Sequence, residues 1–217
     1  MPEPVSVKIC GLSTLETVEA AVTSKADYIG FVFFQSSPRF ITAEKCTALA
    51  KSIPETVTKV ALVVDAHDAL LEDITASGCV DMLQLQGQET PQRVQEVKQK
   101  TGLRVMKAIG LSQRADIVKI GPYVDVVDQL LIDAKPPKGS VLPGGNGITF
   151  DWTILQGKRW SVPWMLAGGL NADNVKEAIK VTGAYQVDVS SGVENSPGRK
   201  DNNKIERFIK NARPSAS

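Results

Sequence analysis

Short apolar, β-branched runs alternate with amphipathic segments from one end of the chain to the other, and this rhythm restricts the fold more than any other feature. The runs are Val5–Ile9, Tyr28–Phe33, Lys59–Val64, Met82–Leu85, Arg104–Ala108, Val126–Ile132, Trp164–Leu166 and Tyr185–Val189. Between them apolar residues recur three or four apart, as with Leu15, Val18 and Val22 and again with Ile205, Phe208 and Ile209. That spacing is the mark of a helix with one buried face. Runs such as Val60-Ala61-Leu62-Val63-Val64 are apolar at every position, as expected of parallel strands covered by helices. Eight strand–helix units fit the 217 residues at about 27 each, close to the smallest closed (β/α)8 barrel. We therefore expect an α/β chain folded as one domain over residues 1–217. An open, flavodoxin-like sheet needs fewer strands and ranks second.

Local punctuation agrees. Ser13 with Glu16 has the capping-box spacing, Thr90-Pro91 reads as an N-cap followed by proline at the first helical position, and Gly102 stands where that helix must stop. Asn171 is a candidate cap for the seventh helix, which should close at Gly183. The fifth and sixth helices read as short or irregular.

Composition narrows the function. Hydrophobic residues make up 42% and charged residues 23%, so a large core is available and disorder is disfavoured. The net charge of +1 is spread evenly, with no basic tract to contact nucleic acid or a membrane surface. A bound anion must be held by local geometry. Cys10, Cys46 and Cys79 are odd in number and widely spaced, which points to reduced thiols in a cytoplasmic protein. The single His67 argues against a metal centre. The stretch Met1-Pro2-Glu3-Pro4 lacks the pattern of a signal peptide, and no apolar run approaches the roughly 20 residues that span a bilayer.

Active sites of parallel barrels are built where strands end and loops begin, and those positions hold the chemistry. Gly168-Gly169 after the seventh strand lets the backbone approach an anion, and Ser190, Ser191 and Gly192 after the eighth supply hydroxyl and amide donors. Together they read as a phosphate cradle. Cys10 ends the first strand with Lys8 on the same side. It is either a buried small hydrophobe or a thiol that the ammonium pulls toward thiolate. Lys8 is alternatively an interior partner of Asp188. Asp133 closes the apolar run Leu130–Ile132, as a carboxyl whose pKa burial raises or as a turn residue. Arg39 is a solvated loop cation or a fork for a substrate carboxylate. Lys107 on the fifth strand is a candidate Schiff-base lysine. The glycine-rich stretch Gly144–Gly147, followed by Phe150-Asp151-Trp152, suits a lid on an anchored short helix.

The segments Lys8-Ile9-Cys10-Gly11-Leu12, Ser37-Pro38-Arg39, Leu131-Ile132-Asp133-Ala134, Pro143-Gly144-Gly145-Asn146-Gly147, Leu166-Ala167-Gly168-Gly169-Leu170 and Val187 through Glu194 occur in this order. In that combination the chain resembles the phosphoribosylanthranilate isomerase family. The resemblance implies a TIM barrel that carries out an Amadori rearrangement without cofactor or metal. Its small-molecule substrate would be phosphoribosylanthranilate, and the protein a monomer or homodimer. It further implies Cys10 as general base, Asp133 as general acid and Arg39 as anchor of the anthranilate carboxylate. Phosphate would be held by Gly145, Gly168, Gly169, Ser190, Ser191 and Gly192. One departure stands out: the family usually has Gln-Leu-His-Gly after strand four, where this chain has Gln84-Leu85-Gln86-Gly87. Gln86 can hydrogen-bond the substrate but does not titrate near neutrality.

Overall fold

A computed structural model describes residues 5–135, 144, 145, 147 and 149–213. Eight parallel strands close into a barrel in sequence order, β8 returning to pair with β1. They are β1 (Ser6–Cys10), β2 (Tyr28–Val32), β3 (Thr58–Val63), β4 (Met82–Leu85), β5 (Arg104–Leu111), β6 (Gln129–Ala134), β7 (Trp164–Leu166) and β8 (Gln186–Val189). All eight expected runs became strands. The sixth starts later than its apolar run, because Val126 and Val127 sit in a turn whose amides donate to the Tyr123 carbonyl.

The helices are α1 (Leu15–Thr23), α2 (Ala43–Ala50), α3 (Asp68–Ala76), α4 (Pro91–Thr101), α5 (Val175–Thr182) and α6 (Asn202–Ala212). Thr90 caps α4 as expected, and Gly102 ends it with φ +66°. At α1 the cap is Thr14, not Ser13: its hydroxyl accepts from the Thr17 amide at 3.3 Å. Glu16, one position too early for a capping box on Thr14, instead accepts from Asn202 and ties α1 to α6. Asn171 accepts from the Asp173 and Asn174 amides and caps the turn leading into α5, which closes at Gly183 with φ +70°. Among the described residues the connections after β5 and β6 hold 3-10 turns and no α-helix (Arg114–Lys119, Gly121–Tyr123 and Trp152–Leu155), in line with the short or irregular helices expected there. A short antiparallel hairpin, β9 (Glu194–Ser196) with β10 (Arg199–Lys200), follows β8.

Strand side chains alternate between two cores. The outward set, Ile9, Ile29, Phe31, Leu83 and Leu166 among it, packs against helices through residues such as Val18, Val94 and Phe208. The inward set, Val60, Met82, Met106, Ala108, Leu131, Met165 and Ala167, fills the barrel. Lys8 is fully buried, and its Nζ meets Asp188 Oδ1 at 2.8 Å, so this interior charge is paired as burial requires. Among the described residues no helix is long and apolar enough to cross a membrane.

Candidate active site

The strand ends converge on two adjoining clefts at the C-terminal mouth of the barrel. One is lined by Cys10, Arg39, Gln84, Gln86, Asp133 and Asp188. The other is lined by Gly145, Gly168, Gly169, Ser190 and Ser191, and Asp133 borders both. The residues that the sequence pointed to come from the ends of six strands, β1, β2, β4, β6, β7 and β8, and meet at one place. Gly192 stands behind the second cleft: a Cβ there would lie 2.0 Å from the Leu170 carbonyl oxygen, so only glycine fits the packing. Pro143, Asn146 and Ile148 of the glycine-rich stretch lie outside the described residues, as do residues 1–4.

Asp133 is buried, and its oxygens accept from the Ala134 amide at 2.8 Å and from Gln86 Nε2 at 3.0 Å. Burial, with the nearby Asp188 charge, pushes its carboxyl up to about 7 despite those two donors. A group with this pKa is half protonated near neutrality and able to give up its proton. Gln84 Nε2 donates to Gln86 Oε1 at 2.7 Å, which fixes the Gln86 amide with its nitrogen toward Asp133. Gln84 Oε1 is buried without a partner among the described residues.

Cys10 faces the same cleft from β1, next to Lys8. Gly30 on β2 makes room for both, since a Cβ there would stand 2.9 Å from Cys10 Sγ and 3.2 Å from Lys8 Nζ. The expectation that Lys8 draws the thiol toward thiolate is only partly met. Burial pushes the Cys10 pKa up, and although Lys8 and Lys200 pull it down, the net direction is up. Burial is the largest influence, and the charge of Asp188, the partner of Lys8, adds to it. Lys8 in turn remains charged: burial disfavours its ammonium, but Asp188 outweighs that and its pKa rises.

The second cleft has the geometry of an anion cradle. Gly168 and Gly169 adopt φ +85° and +65°, and a Cβ on Gly168 would lie 2.6 Å from the Ala134 nitrogen. Among the described residues neither glycine amide donates to a protein acceptor. Asn174 Nδ2 donates to the Gly169 carbonyl at 3.0 Å, which fixes this loop where it lines the cleft. Ser190 donates to the Cys10 carbonyl at 3.1 Å and links the two clefts.

Arg39 is buried, and its fork is occupied: Nε and Nη2 donate to the two Glu194 oxygens at 2.7 and 2.8 Å. Nη2 also donates to the Gly145 carbonyl at 3.4 Å, and among the described residues Nη1 has no acceptor and is left for another anion. Glu194 and Lys200 were not singled out as functional residues. Glu194 lies within a motif that carried the resemblance, whereas Lys200 sits in a charged stretch that reads as solvated surface. Lys107 proves unsuited to covalent catalysis. It lies between Met106 and Ala108, which face the barrel interior, so it points the other way, and its ammonium is engaged by Glu89 and by the Leu85 and Gly87 carbonyls. Cys46 and Cys79 are buried in the outer core, away from both clefts.

With this geometry established, comparison with known proteins is specific. The family model described as N-(5'phosphoribosyl)anthranilate (PRA) isomerase matches residues 7–211. N-(5'-phosphoribosyl)anthranilate isomerase of Parvibaculum lavamentivorans is 54% identical over 211 residues, covering 96% of this chain and 98% of its own length. That of Paramagnetospirillum magneticum is 51% identical over 210 residues, covering 97% and 98%. The crystal structure of phosphoribosyl anthranilate isomerase from Thermotoga maritima superposes with a TM-score of 0.86 at 35% identity, covering 96% of this chain and 98% of that one. A phosphoribosyl anthranilate isomerase in complex with reduced 1-(o-carboxyphenylamino)-1-deoxyribulose 5-phosphate superposes with a TM-score of 0.82 at 33% identity, with the same coverage.

Proposed function

Because the chain belongs to the N-(5'-phosphoribosyl)anthranilate isomerase family, we propose that it performs the Amadori rearrangement of phosphoribosylanthranilate in tryptophan biosynthesis, with Asp133 as general acid and Cys10 as general base. The observation that carries the assignment of roles is the Asp133 carboxyl, buried at the barrel mouth and held at about 7. Asp133 protonates the ribose ring oxygen as the anilino nitrogen pushes the C1′–O bond open, leaving a cationic Schiff base and an ionised Asp133. Cys10, as thiolate, then takes the C2′ proton, whose electrons neutralise the iminium and give the enolamine. Tautomerisation delivers the ketone. Each positioned proton transfer is worth roughly 10²–10⁴-fold.

The raised thiol pKa shapes this proposal. In the resting site Cys10 is a thiol, so the working base is a minor ionised form, and the cationic Schiff base is the charge that favours it at the right moment. In the bound pose, the phosphate would lie on the Gly168, Gly169 and Gly192 backbone with Ser190 and Ser191, and with Gly145 alongside. Arg39 Nη1 and Gln86 would meet the anthranilate end and the sugar.

The test is direct. Turnover of phosphoribosylanthranilate is followed by loss of its anthranilate-type fluorescence. Cys10→Ala and Asp133→Asn should each abolish turnover while the reduced product analogue still binds. Near-parental activity in either variant overturns the assignment.

A further inference from the structure

The hairpin β9–β10 is not required to close the barrel, yet it carries two of the most deeply buried charges near the site. The side chains of Arg39, Glu194 and Lys200 are 6%, 4% and 1% exposed. Glu194 Oε1 accepts from Arg39 Nε at 2.7 Å and Lys200 Nζ at 2.8 Å, and Oε2 accepts from Arg39 Nη2 at 2.8 Å and the Gly198 amide at 3.3 Å. The carboxylate is saturated and has no lone pair left for a substrate. Lys200 is equally committed, to Glu194, to the Ser190 carbonyl at 2.9 Å and to Ser190 Oγ at 3.1 Å. Ser190 spends its own proton on the Cys10 carbonyl, so all three Lys200 partners are acceptors and the nitrogen is an ammonium.

Two consequences follow from this count. Two cations face one carboxylate, so the buried cluster carries a net charge of +1, and burial makes an uncompensated charge costly until an anion meets it. The unspent donors are also localised. Among the described residues Arg39 Nη1 has no acceptor, and it lies on the cleft side, 2.9 Å from where a Cβ of Gly145 would stand. The hairpin is pressed onto the loop that carries Arg39. Gly198 adopts φ +81°, and a Cβ there would lie 2.5 Å from the Pro38 carbonyl oxygen.

We propose that Glu194, braced by Lys200, is a positioning residue that holds the Arg39 fork so that the unspent Nη1 faces the cleft, and thereby sets the enzyme's preference for a substrate bearing a carboxylate on its aromatic ring. The proposal rests on the reading of Arg39 as the carboxylate anchor. A guanidinium free to rotate presents its donors in many directions. One locked along its Nε–Nη2 edge presents the Nη1 donors in a fixed direction at low entropic cost.

The experiment measures binding of two ligands by calorimetry: reduced 1-(o-carboxyphenylamino)-1-deoxyribulose 5-phosphate and its counterpart without the ring carboxyl. Glu194→Gln should weaken the carboxylated ligand about 10- to 100-fold, the range of a charge-assisted hydrogen bond, and leave the other within about threefold. In kinetics KM should rise while kcat stays near parental, since Cys10 and Asp133 are untouched. If Glu194→Gln does not fold, Glu194→Asp keeps the charge but withdraws it by one methylene, and the same loss of discrimination is expected. Equal weakening of both ligands, or retained discrimination, overturns the proposal. Arg39→Met separates the two layers. If it abolishes discrimination while the Glu194 variants keep it, the anchor stands and the positioning role fails. If Arg39→Met itself keeps discrimination, the anchor reading is wrong and the proposal falls with it.

Discussion

Asp133→Asn should inactivate the enzyme and yet stabilise it, and only above acidic pH. The carboxyl is buried and raised from 3.8 to about 7. A native pKa above the unfolded one means that the native state holds the proton more tightly. Well below pH 3.8 both states are protonated and burial of the neutral acid costs little. As pH rises from there, the unfolded chain ionises first, and native stability declines until the folded group also ionises near pH 7. Each unit of separation is worth about 1.4 kcal/mol, so the loss accumulated between pH 4.5 and 8.5 is about 3 kcal/mol. Asparagine fills the same volume and carries no charge to desolvate, so it escapes this loss.

The substitution also disturbs the Gln86 hydrogen bond, because an amide nitrogen replaces one carboxylate oxygen. That cost does not vary with pH and cancels when the stability gain at one pH is subtracted from the gain at another. Urea unfolding of both proteins at pH 4.5 and 8.5 supplies the four free energies. The variant's advantage should be larger at pH 8.5 by about 3 kcal/mol, a midpoint shift of roughly 1 M at ordinary denaturant slopes. The same advantage at both pH values would refute the raised pKa, and with it the physical basis for Asp133 as the acid.

The same pKa values predict the rate profile. With the proposed roles, activity needs Asp133 protonated and Cys10 ionised, the reverse of their resting preference, so kcat/KM should climb to about pH 7, run level, and fall only beyond the raised thiol pKa; a climb continuing past pH 9 with no plateau would exclude Asp133. Gln86→Leu removes a donor that holds the Asp133 pKa down and should move the pH 7 inflection upward, whereas an unmoved inflection would show that Gln86 does not touch the ionised acid. Gly168→Ala forces a Cβ against the Ala134 nitrogen at a positive φ and should weaken the reduced product analogue about tenfold or more in a calorimetric titration; unchanged affinity would remove Gly168 from the cradle.

The barrel was legible because its strands are short and almost wholly buried, so each became an apolar run bounded by helix caps. What stayed hidden has physical reasons. Ser13 and Thr14 are both good caps, and only the approach of the chain decides which hydroxyl meets the first free amide. Val126 and Val127 are apolar because the turn that holds them packs on the core, so hydrophobicity alone extended β6 too far. Lys8 and Lys107 look alike as strand lysines; alternation relates neighbours but does not say which face is inside, and one proved interior and the other turned outward. The Arg39–Glu194 contact spans 155 positions and depends on the hairpin fold, so no local pattern announces it.

The departure at position 86 becomes intelligible in terms of Asp133. A histidine beside this acid would titrate in the same pH range and change the local charge as it did so. Gln86 offers the same kind of donor at every pH, and Gln84 fixes which end of the amide faces Asp133. The carboxyl pKa is then a balance between burial with the Asp188 charge, which raise it, and two neutral donors plus the distant Lys8 ammonium, which lower it. None of those contributions comes from position 86 carrying charge. A site built this way holds a carboxyl near neutrality by burial, the Asp188 charge and neutral donors, and it does so with no charge at position 86.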